Sequence, residues 1–420
     1  MESAEGPRKL AQYSFVGFSP TMVLEAKNDN YFEHTAETST KIKSENPLNE
    51  LRRQLAQNHS AYHGFRFVGG LVGYFSYETV RYIESLPNSA IRKRLEIPDF
   101  QFGLYDDGIV FDHLTGQAYY YWYTKNRIRE VEQLVSGQNH HSSKLSASKL
   151  RLNMSQSEFT AMVEKAKNYI KSGDIFQVVL SKRVEFEIEG ELMDFYRALR
   201  EINPSPYMYF LKMKDLAIIG SSPEMLGRLD GRRVETYPIA GTAPIGNNAS
   251  ENDQLANSLL SDPKERAEHV MLVDLARNDL GKVCKFGSVD VPEFMTVQRY
   301  SHVQHIVSRV TGDLREGKDA LDAFTAIFPA GTVSGAPKKR AMEIIDELEP
   351  SRRGPYAGAI GYFSYNGNAD FAITIRTLVA KGQQAYLQAG AGIVADSQPK
   401  KEWDETEYKA KPILSALKAE

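Results

Sequence analysis

Short apolar runs, many of them cut by glycine, dominate this chain, and they cluster between helices instead of alternating with them. Regular strand–helix alternation would build a doubly wound parallel sheet; its absence points to an α+β class. Tyr13 to Phe18 and Met22 to Ala26 are short apolar-aromatic runs separated by Ser19-Pro20. Gly69 to Tyr77 is a strand pattern whose glycines admit bends or close packing. A hairpin is predicted from Gly108 to Tyr123, turning near His113 to Gly116. Further strands are predicted over Ile175 to Ser181, Leu216 to Gly220, Arg233 to Tyr237 and Asp370 to Leu378.

The helices carry clear start marks. Pro47 opens one with Leu48, Leu51 and Leu55 on a face. Ser155 and Glu158 form a capping box ahead of Phe159, Met162, Val163, Ala166, Tyr169 and Ile170, and Gly173 ends that run. Another starts at Asp262-Pro263, carries Glu268, Leu272 and Leu275 at i, i+4, i+7, and ends by Gly281. Residues from about Gln133 to Lys149 are polar and read as a linker; His140 and His141 within it read as solvent-exposed. The 420 residues leave room for two or more domains or one composite unit. A net charge of −3 leaves no electrostatic footprint for nucleic acid. No apolar run reaches membrane-spanning length and no signal-peptide core opens the chain, so no membrane is expected. The single cysteine, Cys284, excludes an intrachain disulfide and reads as a core or loop thiol; a cytoplasmic protein is the expectation.

Candidate chemistry gathers near the carboxyl end. Gln388 to Lys411 reads as strand, glycine turn, then helix. Bare backbone amides at Gly390, Ala391 and Gly392 can approach an anion. Ser397 is the expected N-cap and Pro399 the first helical turn. Glu402 and Glu405 then project from one helix face. An anion-binding turn beside two carboxylates calls for a cation between them; the alternative is a solvated face with Glu405 paired to Lys409. Glu268 among apolar neighbours needs a partner or a metal. Phe328 to Lys338 is a second glycine-rich turn entering a helix, which holds Ala341, Ile344, Ile345 and Leu348. Gln177, within an apolar run, is either a bonded core amide or a site residue. Alternation over Asp370 to Leu378 puts Arg376 on one face with Ala372 and Thr374, where it could hold a carboxylate or pair with a neighbouring acid.

With these residues the chain resembles the anthranilate synthase large-subunit family within the chorismate-utilising enzymes. The matching blocks are Pro238 to Thr242, Glu268 to Asp279, His302 to His305, Pro329 to Lys338, Gly354 to Tyr356, and Gly390 to Glu405. The resemblance runs from about Ser3 to the carboxyl end. It implies layered antiparallel β-sheets with outer helices, divided as 1–130 amino-terminal region, 131–152 linker and 153–420 chorismate-binding catalytic region. It also implies a reaction: chorismate and ammonia give anthranilate and pyruvate, with Mg²⁺.

Roles follow the same resemblance. Glu268, Glu405 and Glu402 match metal carboxylates. Arg376 and Tyr356 match groups holding the enolpyruvyl carboxylate, with Gly390, Ala391 and Gly392 beside them. Gly241 and Thr242 match ring contacts. Glu224 matches the acid that protonates the departing C4 hydroxyl, and His305 the base of pyruvate elimination. Ser3, Pro206, Tyr207 and Met208 match a tryptophan inhibitor pocket, with backbone acceptors and an apolar wall. Nothing resembles a glutaminase, so a glutamine amidotransferase subunit is the expected partner in a hetero-oligomer. Relatives usually carry a further leading segment, and Pro412 is expected to kink or end the last helix. Aminodeoxychorismate, salicylate and isochorismate synthases share most of these blocks, and a catalytically silent tryptophan-binding protein is a third alternative. Two positions separate them: Ala240 stands where aminodeoxychorismate synthase-like relatives have a nucleophilic lysine, and Gln177 where isochorismate-forming relatives have a lysine base.

Overall fold

The computed structural model describes residues 1–2, 12–27, 30–87, 96–137, 145–300 and 303–418. Two large sheets frame it, and every strand pair among the described residues is antiparallel. The larger sheet has twelve strands. Its middle runs Val303–Asp313, Arg233–Thr236, Met225–Asp230, Ala369–Ile373, Ala359–Ser364, Gly70–Phe75, Phe100–Tyr105. Strands from before and after residue 150 therefore share one sheet. The second sheet, of seven strands, runs Tyr207–Met213, Leu216–Ser222, Thr377–Lys381, Gln384–Ile393, Gln177–Glu189, Gly335–Ala336. A three-stranded sheet of Tyr13–Val16, Asp107–Asp112 and Gln117–Trp122 completes the set and contains the expected hairpin.

Period two decides how the sheets stack. Ile218 and Val379 of the second sheet meet Met225, Ile360 and Ala372 of the larger one in a shared core. Their neighbours Ala217, Ile219, Leu378 and Ala380 point the other way, under Phe195, Leu199, Ala410, Ile413 and Leu417 from two helices. The far face of the larger sheet buries Phe75, Phe102 and Phe371 against Phe324, with Phe75 and Phe324 stacked at 4.2 Å. The result is the expected α+β arrangement of layered sheets with outer helices. The capping box at Ser155 and Glu158 forms, the helix from Pro263 is capped by Asp262, and Cys284 is buried, where burial pushes its thiol up to about 11.

Four expectations change. The polar stretch 133–149 is not all irregular: a helix, Ile128–Ser136, enters it, and Ser146–Leu152 adds to the Gln177–Glu189 strand. Main-chain hydrogen bonding at a sheet margin needs no apolar side chains, so composition hid the strand. His140 and His141 lie outside the described residues. The strand expected over Asp370 to Leu378 breaks at Thr374 to Arg376, because the chain there leaves the larger sheet for the second; Arg376 has φ 50° and Ile375 N donates to Ile373 O at 3.0 Å. Arg376 is thus not placed by alternation with Ala372. Ser397 does not cap the last helix, Pro399–Lys418; its hydroxyl accepts from Val394 N at 3.0 Å. Pro412 does not end that helix either. The carbonyl it leaves without a donor is that of Tyr408, a residue 69% exposed, where water can serve it, while Ile413, Ala416 and Leu417 are buried beyond it.

That interior proline makes a direct prediction. Pro412→Ala restores one helical hydrogen bond and should stabilise the fold by about 1–3 kcal/mol. Thermal or urea unfolding should show a higher midpoint; an unchanged or lower midpoint would mean that the helix is already relaxed around the ring.

Candidate active site

The two places where the chain changes sheet build the centre of the site. Between Leu216–Ser222 and Met225–Asp230 it crosses at Glu224; between Ala369–Ile373 and Thr377–Lys381 it crosses back at Arg376. The two crossings are bonded to each other: Ile373 N donates to Glu224 O at 3.0 Å and Ser221 N to Arg376 O at 3.2 Å. Residues that belong to neither sheet thus meet between both. Glu224 is buried, and that burial pushes its carboxyl up to about 7, opposed by Thr332, Lys409 and Arg376. The Arg376 guanidinium makes no hydrogen bond or ion pair among the described residues, and burial pulls its pKa down while Glu224 raises it. A half-buried guanidinium left without a bonded partner is an anion site in waiting.

His305, on Val303–Asp313, sits 2.8 Å by Nδ1 from the Gly241 carbonyl and 3.1 Å from Thr242 Oγ1. A carbonyl only accepts, so Nδ1 carries the proton and Nε2 keeps its lone pair. Burial pulls the imidazole below its ordinary pKa, the Gly241 bond works against that, and Arg376 adds to the lowering. The ring is therefore a neutral base near pH 7. Gly241, at φ 63°, turns the strand Ile239–Pro244 at this point, and a Cβ there would lie 3.0 Å from Glu265 Oε2.

Carboxylates gather nearby, Glu265 against Gly241 first among them. Gln177 is a buried, bonded amide: its Nε2 donates to Glu268 Oε1 at 3.0 Å. Glu405 pairs with Lys409 at 2.6 Å, and Lys409 also donates to the Gly390 carbonyl at 3.1 Å. Burial first, and Glu268 second, raise the pKa of Glu265, with Glu405 contributing; burial and Glu405 raise that of Glu402. Four glutamates thus crowd one another with few cations among them. Among the described residues no three His, Cys, Asp or Glu side chains are already gathered as a metal cage. Two carboxylates with water and substrate oxygens are an ordinary Mg²⁺ ligand set, so the donor chemistry fits an incomplete site that substrate finishes.

Gly390 to Gly392 is strand, not turn: it lies within Gln384–Ile393, paired to Gln177–Glu189. The partner strand on the other side ends its pairing at Leu387, which leaves that edge open beyond it. A Cβ on Gly390 would lie 2.6 Å from Tyr356 Oη, and one on Gly392 2.6 Å from Gln177 Nε2. Glycine is required because the site's own side chains lie against the strand. Ala391 points into the core and offers only its backbone.

Residues 4–415 match the family described as chorismate binding enzyme. The chain belongs to that family. A protein of Methanothermobacter marburgensis named anthranilate synthase component 1 is 49% identical over 99% of this chain and 89% of that protein. One of Bacillus subtilis named aminodeoxychorismate synthase component 1 is 42% identical over 99% and 91%. A crystal structure titled anthranilate synthase component I from Streptococcus pneumoniae superposes with a TM-score of 0.84 at 37% identity, covering 97% of this chain and 93% of that one.

The contacts above link Glu224 with Arg376, His305 with Gly241 and Thr242, Gly390 with Tyr356 and Lys409, and Gln177 with Glu268 and Gly392, which makes them the candidate site. The Pro206–Met208 stretch stands apart. Met208 N and O are taken by the backbone of Glu2, at 2.8 and 2.7 Å, and Tyr207 Oη donates to Asp370 Oδ1 at 2.9 Å. A small cavity lined by Glu2, Tyr207 and Met208 adjoins it, and the expected Met208 acceptor is taken by Glu2. Ser3 lies outside the described residues. Sequence reading passed over Glu265, although it stands at i and i+3 with Glu268 just as Glu402 does with Glu405. No helix among the described residues is long and apolar enough to cross a membrane.

The raised carboxyl has a stability consequence. A carboxyl whose folded pKa lies above its unfolded value favours the fold fully below the unfolded pKa, and that contribution fades as pH rises through the folded one. For Glu224 the window runs from its ordinary value, 4.5, to about 7, and the loss is about 3 kcal/mol. Glu224→Gln should therefore gain on the wild type in unfolding free energy between pH 4 and pH 8. Parallel stability curves across that range would show that the carboxyl is not held protonated.

Proposed function

We propose that this chain is the chorismate-converting component of an anthranilate synthase, making anthranilate and pyruvate from chorismate and ammonia for tryptophan synthesis. The observation that carries the reading is a buried acid kept protonated near neutral pH, Glu224, and a neutral base, His305, that share one guanidinium neighbour, Arg376.

In this reading Arg376 and the Tyr356 hydroxyl hold the enolpyruvyl carboxylate against the open edge at Gly390 and Gly392. Gly241 and Thr242 border the ring. Glu224 gives its proton to the departing C4 hydroxyl, which leaves as water while ammonia bonds to C2. His305 Nε2 then takes the C2 proton, the bond from ring C3 to the ether oxygen breaks, the ring becomes aromatic, and the departing enolate takes up a proton at its methylene carbon to become pyruvate. Glu268 and Glu405, with Glu402 beside them, would hold Mg²⁺. When bound, that ion neutralises the ring carboxylate of the substrate. Glu265, whose side chain borders Gly241, ties these carboxylates to the base.

Two positions favour amination at C2 over the alternatives. Ala240 offers no nucleophile, which disfavours the aminodeoxychorismate reading that the Bacillus relative raises. The Gln177 amide cannot act as a base toward water, whereas ammonia needs none. Glutamine cannot serve directly, because the one thiol, Cys284, is buried; a second subunit must release ammonia for it. A single buried thiol, Cys284, suits a reducing cytoplasm.

One chromatographic assay tests the proposal. With chorismate, Mg²⁺ and an ammonium salt the chain alone should make anthranilate. Glutamine in place of ammonium, or excess chelator, should stop it. Gln177→Lys should lower the rate roughly tenfold, the worth of a hydrogen bond to a charged group. Isochorismate, salicylate or aminodeoxychorismate as the main product would overturn the assignment.

A further inference from the structure

Glu224 also borders a small space on the side of the helix Pro263–Gly281. A cavity of about 30 Å³ is lined by Glu224, Leu226, Leu275, Asp279, Gly331 and Thr332, among others. That is room for one water molecule and not for substrate. Thr332 Oγ1 is buried there, close enough to the Glu224 carboxyl to lower its pKa but with no partner at full hydrogen-bonding geometry among the described residues, which is a cost unless something answers it. Its position is not accidental slack. The backbone at Gly331 packs on the helix, where an added Cβ would come within 2.9 Å of Leu275 Cδ1. The next carbonyl, Val333, accepts from the buried Arg353 at 2.7 Å, and Ser334 Oγ donates to Ala330 O at 2.8 Å.

We propose that Thr332, together with one water held in this cavity, is a positioning device for Glu224, fixing the carboxylic acid as it donates to the departing hydroxyl and receiving the carboxylate that remains. The proposal rests on Glu224 being the general acid. A hydroxyl suits the task because it accepts from the protonated acid and donates to the ionised one. The proton leaves Glu224 for the C4 oxygen, the C4–O bond breaks, and water departs; the Thr332 hydroxyl keeps its own proton throughout. The charged groups facing Glu224 are Arg376 from the sheet crossing and Lys409 from the last helix; Asp279 borders the cavity, bonded to Lys282 and Lys338. Thr332 is the neutral group set against the carboxyl, so its removal changes orientation without changing net charge.

Thr332→Val keeps the shape and removes the hydroxyl; Thr332→Ser restores it. We expect Thr332→Val to lower kcat roughly tenfold with the chorismate KM little changed, and Thr332→Ser to recover most of the rate. In the substrate-free protein, ¹³C resonances of labelled glutamate should show the Glu224 titration moving to higher pH in Thr332→Val and returning in Thr332→Ser, because a lost donor favours the neutral acid. Thr332→Ala gives a second hydroxyl-free variant should the valine protein not fold. An unmoved titration, an unchanged kcat, or a serine variant as impaired as valine would overturn the proposal. Glu224→Gln separates the two claims: full activity there removes the general acid itself, while the titration shift still judges the Thr332 contact.

Discussion

The pairing of Arg353 with Glu349 is the constraint on which the site depends. Both are buried, and the guanidinium donates to Glu349 through Nε at 2.9 Å and Nη2 at 2.7 Å. Two such charges leave water at a cost of several kcal/mol each, which is met only when every remaining donor and acceptor is satisfied. Here they are. Arg353 also reaches the carbonyls of Val333 and Val179, both at 2.7 Å, and Glu349 accepts from Ser181 N and Oγ at 2.9 and 2.7 Å. From the amino-terminal half, Glu78 accepts from the backbone amides of Arg353 and Gly354, each at 2.9 Å. One ion pair therefore clamps the loop bearing Thr332, the strand bearing Gln177 and the turn leading to Tyr356.

Around that clamp, antiparallel topology does the placing. The two crossings between sheets put Glu224 and Arg376 where neither is claimed by a strand ladder, and hydrogen bonds between the crossings hold them in register. Burial then sets the chemistry. It raises a carboxyl, lowers an imidazole, and leaves a guanidinium with no bonded partner among the described residues. In the proposed reaction, acid, base and anion holder are tuned by the same exclusion of water, and one protein environment would run opposite proton transfers near neutral pH. The acidic cluster is tuned the other way, toward a cation.

Much of this was legible in the residues. Capping boxes and apolar stripes placed the helices, as at Ser155 and Asp262, since those marks are local. The paired glutamates at 402 and 405 are a local spacing too. What could not be read was whatever depends on a change of sheet. Alternation assigned Arg376 to the face of Ala372, and only the break at Thr374 shows otherwise. The glycines at 390 and 392 suggested a turn, whereas they mark a strand with side chains lying against it, at distances that only tertiary packing sets. Pro412 does not end its helix for a related reason: the buried Ile413, Ala416 and Leu417 after it hold the helix on, a long-range effect. The role of Glu2 at Met208 joins residues some two hundred apart in the chain and left no pattern in it.

The central claim is a division of labour: Glu224 acts before ammonia is bonded and His305 after. His305→Ala separates the steps. Mass spectrometry of its products should show a species formed from chorismate by gain of ammonia and loss of water, with the enolpyruvyl group still attached. The same analysis of Glu224→Gln should show neither that species nor anthranilate. Anthranilate at the wild-type rate from His305→Ala, or accumulation of the aminated species by Glu224→Gln, would contradict the account.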